Sequence, residues 1–264
     1  MRISYSQMST YLNCGIKYEK RYIERIPQLS TPTLVAGRAI HSGIELNYRQ
    51  KINTRKDLPV SDLKDCVADA IERGFQEELF LMEDEKAVTM NSLKADWKDL
   101  SVKGIEAYHR EISPQVFPVE AEHNFLVPLQ DNHQLYGFID IVDERKIIRD
   151  TKTSKKMPFQ KTADRNVADE SQQLTAYALA YKTLYGELPE KLTLDYIILN
   201  GEVKTIIYET ARKAEDIEVF MKRLRRVVNG IQRRVFCRPQ KHGFVCTVST
   251  EIAAQKSCCR HKKQ

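Results

Sequence analysis

The stretch Tyr136-Gly137-Phe138-Ile139-Asp140-Ile141-Val142-Asp143, followed after a short gap by Ile147-Ile148-Arg149-Asp150-Thr151-Lys152, decides how this chain is read. Both segments are rich in Ile, Val, Phe and Tyr, the residues of strands. With Glu144-Arg145-Lys146 as a three-residue hairpin loop, Asp143 pairs with Ile147 and Asp140 falls directly opposite Asp150. Opposed Cβ atoms on antiparallel strands are about 4.5–5.5 Å apart. Two carboxylates that close among apolar neighbours repel, and a divalent cation between them relieves the repulsion. Oxygen ligands of this kind suit Mg²⁺ or Mn²⁺. Lys152 lies on the same strand face as Asp150 and points at the same place. An ammonium there can position or deprotonate an attacking water and stabilise charge on a phosphate. Three plainer arrangements stay open from spacing alone: Asp143 as a turn residue only, Asp140 paired simply with Lys152, or a one-residue register slip that turns Asp140 to the other face.

Outward from the hairpin, the N-terminal side reads as amphipathic helices. Residues 6–24 carry Met8, Leu12, Ile16 and Ile23 at helical spacing after a Ser6 cap. Residues 32–53 start with Pro32 in the first turn and carry Ile40, Ile44 and Tyr48 on one stripe. Residues 61–80 and 90–112 continue the pattern, and Glu122 to Leu129 is a strand. Beyond the hairpin, Gln172 to Tyr185 is a helix. Leu192–Leu199 and Val203–Tyr208 form a second hairpin across Asn200-Gly201-Glu202, and residues 213–234 return to helix. This order predicts an α/β fold in a single domain spanning 1–264. Residues 1–115 form a mostly helical N-terminal cover, 116–235 the α/β core and 236–264 a basic tail containing cysteines.

Composition excludes several classes. The chain has 264 residues, 42% hydrophobic and 30% charged, which suits a globular protein and not a disordered or fibrous one. No apolar run approaches the roughly 20 residues that span a bilayer. Met1-Arg2-Ile3-Ser4-Tyr5-Ser6 holds no apolar signal core, so a cytoplasmic protein without a membrane partner is expected. Six cysteines are too few for a disulfide scaffold. The net charge of +6 is uneven, because residues 212–264 hold 14 Lys/Arg against 4 Asp/Glu. Lys222, Arg223, Arg225, Arg226, Arg233 and Arg234 make the densest stretch. A basic stripe beside an acidic body is the footprint of a polyanion binder, although a charge run by itself is more often a solvated helix face.

Five motifs follow one another in order. They are Ser4-Tyr5-Ser6-Gln7-Met8-Ser9-Thr10-Tyr11-Leu12-Asn13-Cys14, Gly37-Arg38-Ala39-Ile40-His41, Glu122-His123-Asn124-Phe125, the pair Gly137-Phe138-Ile139-Asp140 and Asp150-Thr151-Lys152, and Gln173-Leu174-Thr175-Ala176-Tyr177. In this order and spacing, from Ser4 to about Phe244, the chain resembles the RecB-type branch of the PD-(D/E)xK nuclease superfamily. Gly15 stands where the first motif of that family often has proline. The resemblance implies a restriction-endonuclease-like mixed central sheet flanked by helices. It implies a metal-dependent DNA nuclease, an exonuclease of recombination, repair or phage DNA processing. His41, Asp140 and Asp150 would bind Mg²⁺ or Mn²⁺ with the Thr151 carbonyl as a further ligand, and Lys152 would assist the attacking water. Gln173 and Tyr177 would position the site or the strand, and Glu122 would serve a second metal or a structural contact. Plainer roles exist beside these: His41 as a core histidine or a partner of Glu45, and Gln173 with Tyr177 as a packing pair. The partner implied is DNA, as single strands or duplex ends, with any helicase or recombination protein on another chain. The cations of helix 213–234 would then track the phosphate backbone.

Cys14 with Cys246, Cys258 and Cys259 looks like the four-thiolate iron–sulfur layout of the AddB nuclease domain and the CRISPR-adaptation nucleases. The closing trio lacks their Cys-x-x-Cys pair, and Cys258 and Cys259 are adjacent, so free thiols are the preferred expectation. Two rival functions remain: a non-catalytic DNA-end-binding subunit and an RNA-directed nuclease. Asp140, Asp150 and Lys152 together argue against the first, since a binding module has no use for that lysine.

Overall fold

In the computed structural model, which describes residues 1–158 and 166–237, the chain opens with a short strand, β1 (Arg2–Ser4), and enters α1 (Tyr5–Asn13). Ser4 caps α1, not Ser6. Its Oγ accepts from Gln7 N–H at 3.2 Å, and Gln7 Oε1 accepts from Ser4 N–H at 2.8 Å, a reciprocal capping box. The single helix expected over 6–24 breaks at Cys14, whose backbone is extended; α2 (Gly15–Tyr18) and a π-helical turn (Glu19–Ile23) follow. The break accommodates a tertiary contact. A Cβ on Gly15 would lie 2.7 Å from the backbone nitrogen of Cys237, and Gly15 N–H donates to Cys237 O at 3.0 Å.

The helices α3 (Pro32–Thr54), α4 (Val60–Gly74), α5 (Glu83–Lys86) and α6 (Met90–Glu111) come next. Pro32 stands in the first turn of α3, where its missing N–H costs nothing. The helix expected over 61–80 stops at Gly74 because residues beyond it pair elsewhere. Leu79 bridges Ser30, and Phe80 N–H donates to Ser30 O at 2.9 Å. Then follow β2 (Pro118–Pro128), β3 (Gln134–Asp143), β4 (Ile147–Ser154), α7 (Val167–Glu170), α8 (Gln172–Tyr185), β5 (Lys191–Ile198), β6 (Lys204–Thr210) and α9 (Ala214–Gln232).

Among the described residues six strands form one mixed sheet, ordered β1-β3-β4-β5-β6 with β2 also on β3. β2 runs antiparallel along one edge of β3. The other edge of β3 is shared: β1 takes Gln134–Tyr136 in parallel, and β4 takes Ile141–Asp143 antiparallel. β4 and β5 are parallel, and β5 and β6 antiparallel. The N-terminal segment is therefore not purely a helical cover, since its first residues complete the sheet.

Helices cover both faces. α3 lays Val35, Ala39, Ile40, Ile44 and Tyr48 against Val67, Ile71, Trp97 and Ile105, with Ile197 and Leu199 from the sheet end. On the other face Ile3, Met8, Leu135, Ile139 and Ile148 meet Leu174, Ala178, Phe220 and Leu224. Burying one such large apolar side chain contributes about 1.5–3 kcal/mol. These two cores fix α3 and α8 over opposite sides of the β3–β4 pair.

Candidate active site

The β3–β4 ladder pairs Asp143 with Ile147, Val142 with Ile148 and Ile141 with Arg149, the register the hairpin reading predicts. The ladder ends one pair before Asp140 and Asp150. From there β3 gives that edge to β1, and the two strands part. Thr151 N–H, freed from the ladder, donates to Asp140 Oδ2 at 3.0 Å. The carboxylates thus sit at a fork between strands, where backbone pairing gives way to side-chain chemistry.

α3 brings His41 to the fork. The helix approaches β4 closely at Gly37, where a Cβ would stand 2.9 Å from Thr153 Oγ1. One turn later His41 Nε2 meets the Thr151 carbonyl at 3.0 Å. A carbonyl only accepts, so Nε2 carries the proton and, in the neutral ring, Nδ1 carries a lone pair. Burial lowers the His41 pKa and favours that neutral ring, against the pull of Asp150. Nδ1 faces Asp140 Oδ2 across 3.7 Å. The Thr151 carbonyl, expected as a metal ligand, serves here to orient the imidazole.

Glu122 completes the group. It lies on β2 between Ala121 and His123, which pair with Ile141 and Ile139, so it comes opposite Asp140. Its backbone is left-handed, φ 51°, a conformation that costs a non-glycine residue about 1–3 kcal/mol and gathers at functional sites. His41, Glu122 and Asp140 each offer a ligand atom, all within 4.8 Å of one another. Burial raises the Glu122 pKa, with Glu45 and Asp150 adding to it and Arg49 opposing. An imidazole lone pair and two carboxylates with no proton shared between them form a donor set that fits a divalent cation.

Asp150 is fully buried beside this group rather than within it. Its Oδ1 accepts from Gln173 Nε2 at 3.0 Å, and Gln173 Nε2 also meets the Tyr177 hydroxyl at 2.7 Å. α8 therefore delivers Gln173 and Tyr177, four residues apart on one face, as a clamp on Asp150. Lys152 Nζ stands 2.7 Å from Asp150 Oδ2. The two form an ion pair, and Oδ2 has no other partner among the described residues. Burial pushes the carboxyls of Asp140 and Asp150 up to about 6 each, with Lys152 opposing in both cases. Burial works against the charge on Lys152, but Asp150 and Asp140 outweigh it and hold its pKa above the ordinary lysine value. Lys152 is therefore a cation at neutral pH. As a cation it can donate hydrogen bonds and neutralise charge.

The basic helix divides. α9 buries Ile217, Phe220, Leu224, Val227 and Val228 and leaves Lys222, Arg223, Arg225 and Arg226 exposed. Arg223 lies toward the site, since its charge and that of Lys152 both act on the Tyr5 hydroxyl. Arg225 lines a separate small cleft with His133 and Asn229. Lys222, Arg226, Arg233 and Arg234 are exposed. Tyr5, quoted in the first motif but given no role, is a neighbour of the site that spacing did not reveal. Cys14 is buried, and its sulfur accepts from Lys17 N–H at 3.4 Å as the cap of α2. Cys246, Cys258 and Cys259, and with them the iron–sulfur expectation, lie outside the described residues.

Comparisons with known proteins bear on the family and the fold. A family model described as the PD-(D/E)XK nuclease superfamily matches residues 2–259. The chain is similar to a solved structure from Eubacterium rectale described as a candidate exonuclease, at 10% identity and a TM-score of 0.60, covering 98% of this chain and 94% of that one. This likeness concerns the fold. A solved structure named SSO0001 is 11% identical over 85% of this chain and 84% of its own, with a TM-score of 0.33. No curated protein matches the sequence.

Proposed function

This chain belongs to the PD-(D/E)XK nuclease superfamily, and on that premise we propose that it is a deoxyribonuclease that uses Mg²⁺ or Mn²⁺, working as an exonuclease in DNA recombination, repair or phage DNA processing. The single observation that carries the reading is the ligand-ready group of His41, Asp140 and Glu122 beside the charged Lys152 and the buried Asp150. His41 Nδ1, Asp140 and Glu122 would hold the cation, and Asp150 Oδ2, ion-paired to Lys152, is the next carboxylate oxygen at the fork. When bound, the cation lowers the pKa of water and neutralises charge on the phosphate.

The remaining work falls to the chain. Thr151 holds the imidazole in one tautomer and its N–H holds the Asp140 carboxylate, so both ligands are oriented before anything binds. Gln173 and Tyr177 fix Asp150 from behind and act as positioning residues. Lys152 stays protonated, donates to the attacking water or to a phosphate oxygen, and balances the charge that grows there. No helix among the described residues is long and apolar enough to cross a membrane; a cytoplasmic site of action, with any helicase supplied by another chain, belongs to the same proposal.

The rival is a non-catalytic subunit that binds DNA ends. An ammonium held 2.7 Å from a buried carboxylate at the fork favours the catalytic reading. Purified protein incubated with Mg²⁺ or Mn²⁺ and end-labelled single-stranded DNA, duplex DNA and RNA decides between them. Loss of DNA label that EDTA and Asp150→Ala both abolish supports the deoxyribonuclease. Binding without cleavage under either metal overturns it, and cleavage confined to RNA replaces DNA as the substrate.

A further inference from the structure

The fork does not account for a cleft of about 680 Å³ between the Glu19–Ile23 turn, the start of α3 and Phe80. Its lining carries Lys17, Arg21 and Arg38 and no acidic side chain, over apolar Leu29, Leu34 and Phe80. Leu34 is 59% exposed, a large aliphatic side chain that no neighbour covers. Among the described residues neither Lys17 nor Arg21 meets a carboxylate; the Arg21 guanidinium lies 5.2 Å from the Tyr22 ring centre. Arg38 donates to Ser30 Oγ at 3.0 Å and reaches Glu77 only at 3.9 Å.

The cleft and the fork share one face of α3. Leu34, Arg38 and His41 follow at i, i+4 and i+7, one face of α3. The helix axis advances about 10 Å from Leu34 to His41. The buried carboxylates of the fork repel a polyanion, and the cations of the cleft supply the opposite charge. A duplex stacks its bases inside and offers apolar residues nothing. An unpaired strand presents phosphates to cations and base faces to side chains such as Phe80.

We propose that this cleft receives single-stranded DNA, with phosphates on Lys17, Arg21 and Arg38 and bases against Leu34 and Phe80, and leads the strand to the fork. The inference rests on the nuclease reading for its destination, but strand binding is measurable without cleavage. The test uses the full chain carrying Asp150→Ala, with fluorescently labelled short oligothymidylate, a blunt duplex and oligouridylate, read by anisotropy across a salt series. Adding Lys17→Ala/Arg21→Ala should weaken oligothymidylate binding about tenfold and make the slope of log K against log salt shallower by about 1.4, since each cation on a single strand contributes about 0.7. Leu34→Glu, at an exposed position, should weaken it about as much again while duplex binding changes little. Lys103→Ala/Lys182→Ala, outside the cleft, controls for net charge.

Equal loss on duplex and single strand, an unchanged salt slope, or a preference for oligouridylate each overturns the inference. The two failures are separable. Wild-type protein that binds the strand through the cleft but never cleaves removes the nuclease and keeps the cleft. Wild-type cleavage with cleft variants that bind normally removes the cleft and keeps the nuclease.

Discussion

Two carboxylates on neighbouring strands, Asp195 and Asp150, are both wholly buried, and burial raises the pKa of each. Their surroundings differ in kind. Asp195 is complete: Arg149 Nη1 donates to its oxygens at 3.0 and 3.3 Å and Thr193 Oγ1 at 2.8 Å, leaving only Arg149 Nε without an acceptor. Asp150, next to Arg149 on β4, has one oxygen clamped by Gln173 and the other ion-paired to Lys152 at 2.7 Å, while His41 and Asp140 face each other with no proton between them. One strand therefore carries Arg149, whose charge is closed inside the fold, and, one residue on, Asp150, whose cation Lys152 is part-exposed beside the open group of His41, Asp140 and Glu122. Buried charge alone does not mark a functional site; an open group of ligands beside it does.

That contrast can be broken by mutation. Arg149→Ala leaves Asp195 charged and alone, so denaturant unfolding should show a loss of about 3–5 kcal/mol. An unchanged midpoint would place Asp195 among the dispensable charges. Lys152→Ala should instead lower cleavage by about 10²–10³-fold, the cost of removing one preorganised donor, with a smaller loss of stability, since Lys152 is part-exposed and the carboxyl it leaves, already raised to about 6, can take up a proton. If stability fell as far as with Arg149→Ala, the two regions would be alike and the comparison would fail.

A smaller effect sharpens the same point through pH. Asp140 and Asp150 titrate near 6 in the folded chain against about 3.8 unfolded, so the native state binds the extra protons between those values. Their contribution to stability is full below pH 4 and is lost as pH rises through 6. A divalent cation favours the ionised carboxyls and offsets the loss. Mn²⁺ should therefore raise the melting midpoint by a few degrees more at pH 7.5 than at pH 5, and Asp140→Asn should erase the difference. Equal gains at both pH values would mean that the cation binds elsewhere.

Much of this was legible in the sequence. The alternation from Gln134 to Lys152 marks both strands, and a three-residue loop pairs Asp143 with Ile147, although spacing alone also allows a one-residue slip. Gln173 and Tyr177 were legible as a pair because helical spacing places them together. The parting of β3 and β4 at Asp140 was not, since it depends on β1, three residues too short to leave a pattern. The weight of Glu122 was missed for a similar reason: a single left-handed residue inside a strand has no signature in residue type. The cleft was invisible because Lys17, Leu34 and Phe80 meet only through the Ser30–Leu79 bridge and the packing of α3.

The central claim is that His41, Asp140 and Glu122 hold one cation together. A crystal soaked in Mn²⁺ and measured for anomalous scattering tests it directly. The account predicts a peak bonded to His41 Nδ1 and to the carboxylates of Asp140 and Glu122, absent in a His41→Ala crystal. A peak that touches neither His41 nor Asp140, or none at the fork with Mn²⁺ in excess, would contradict it.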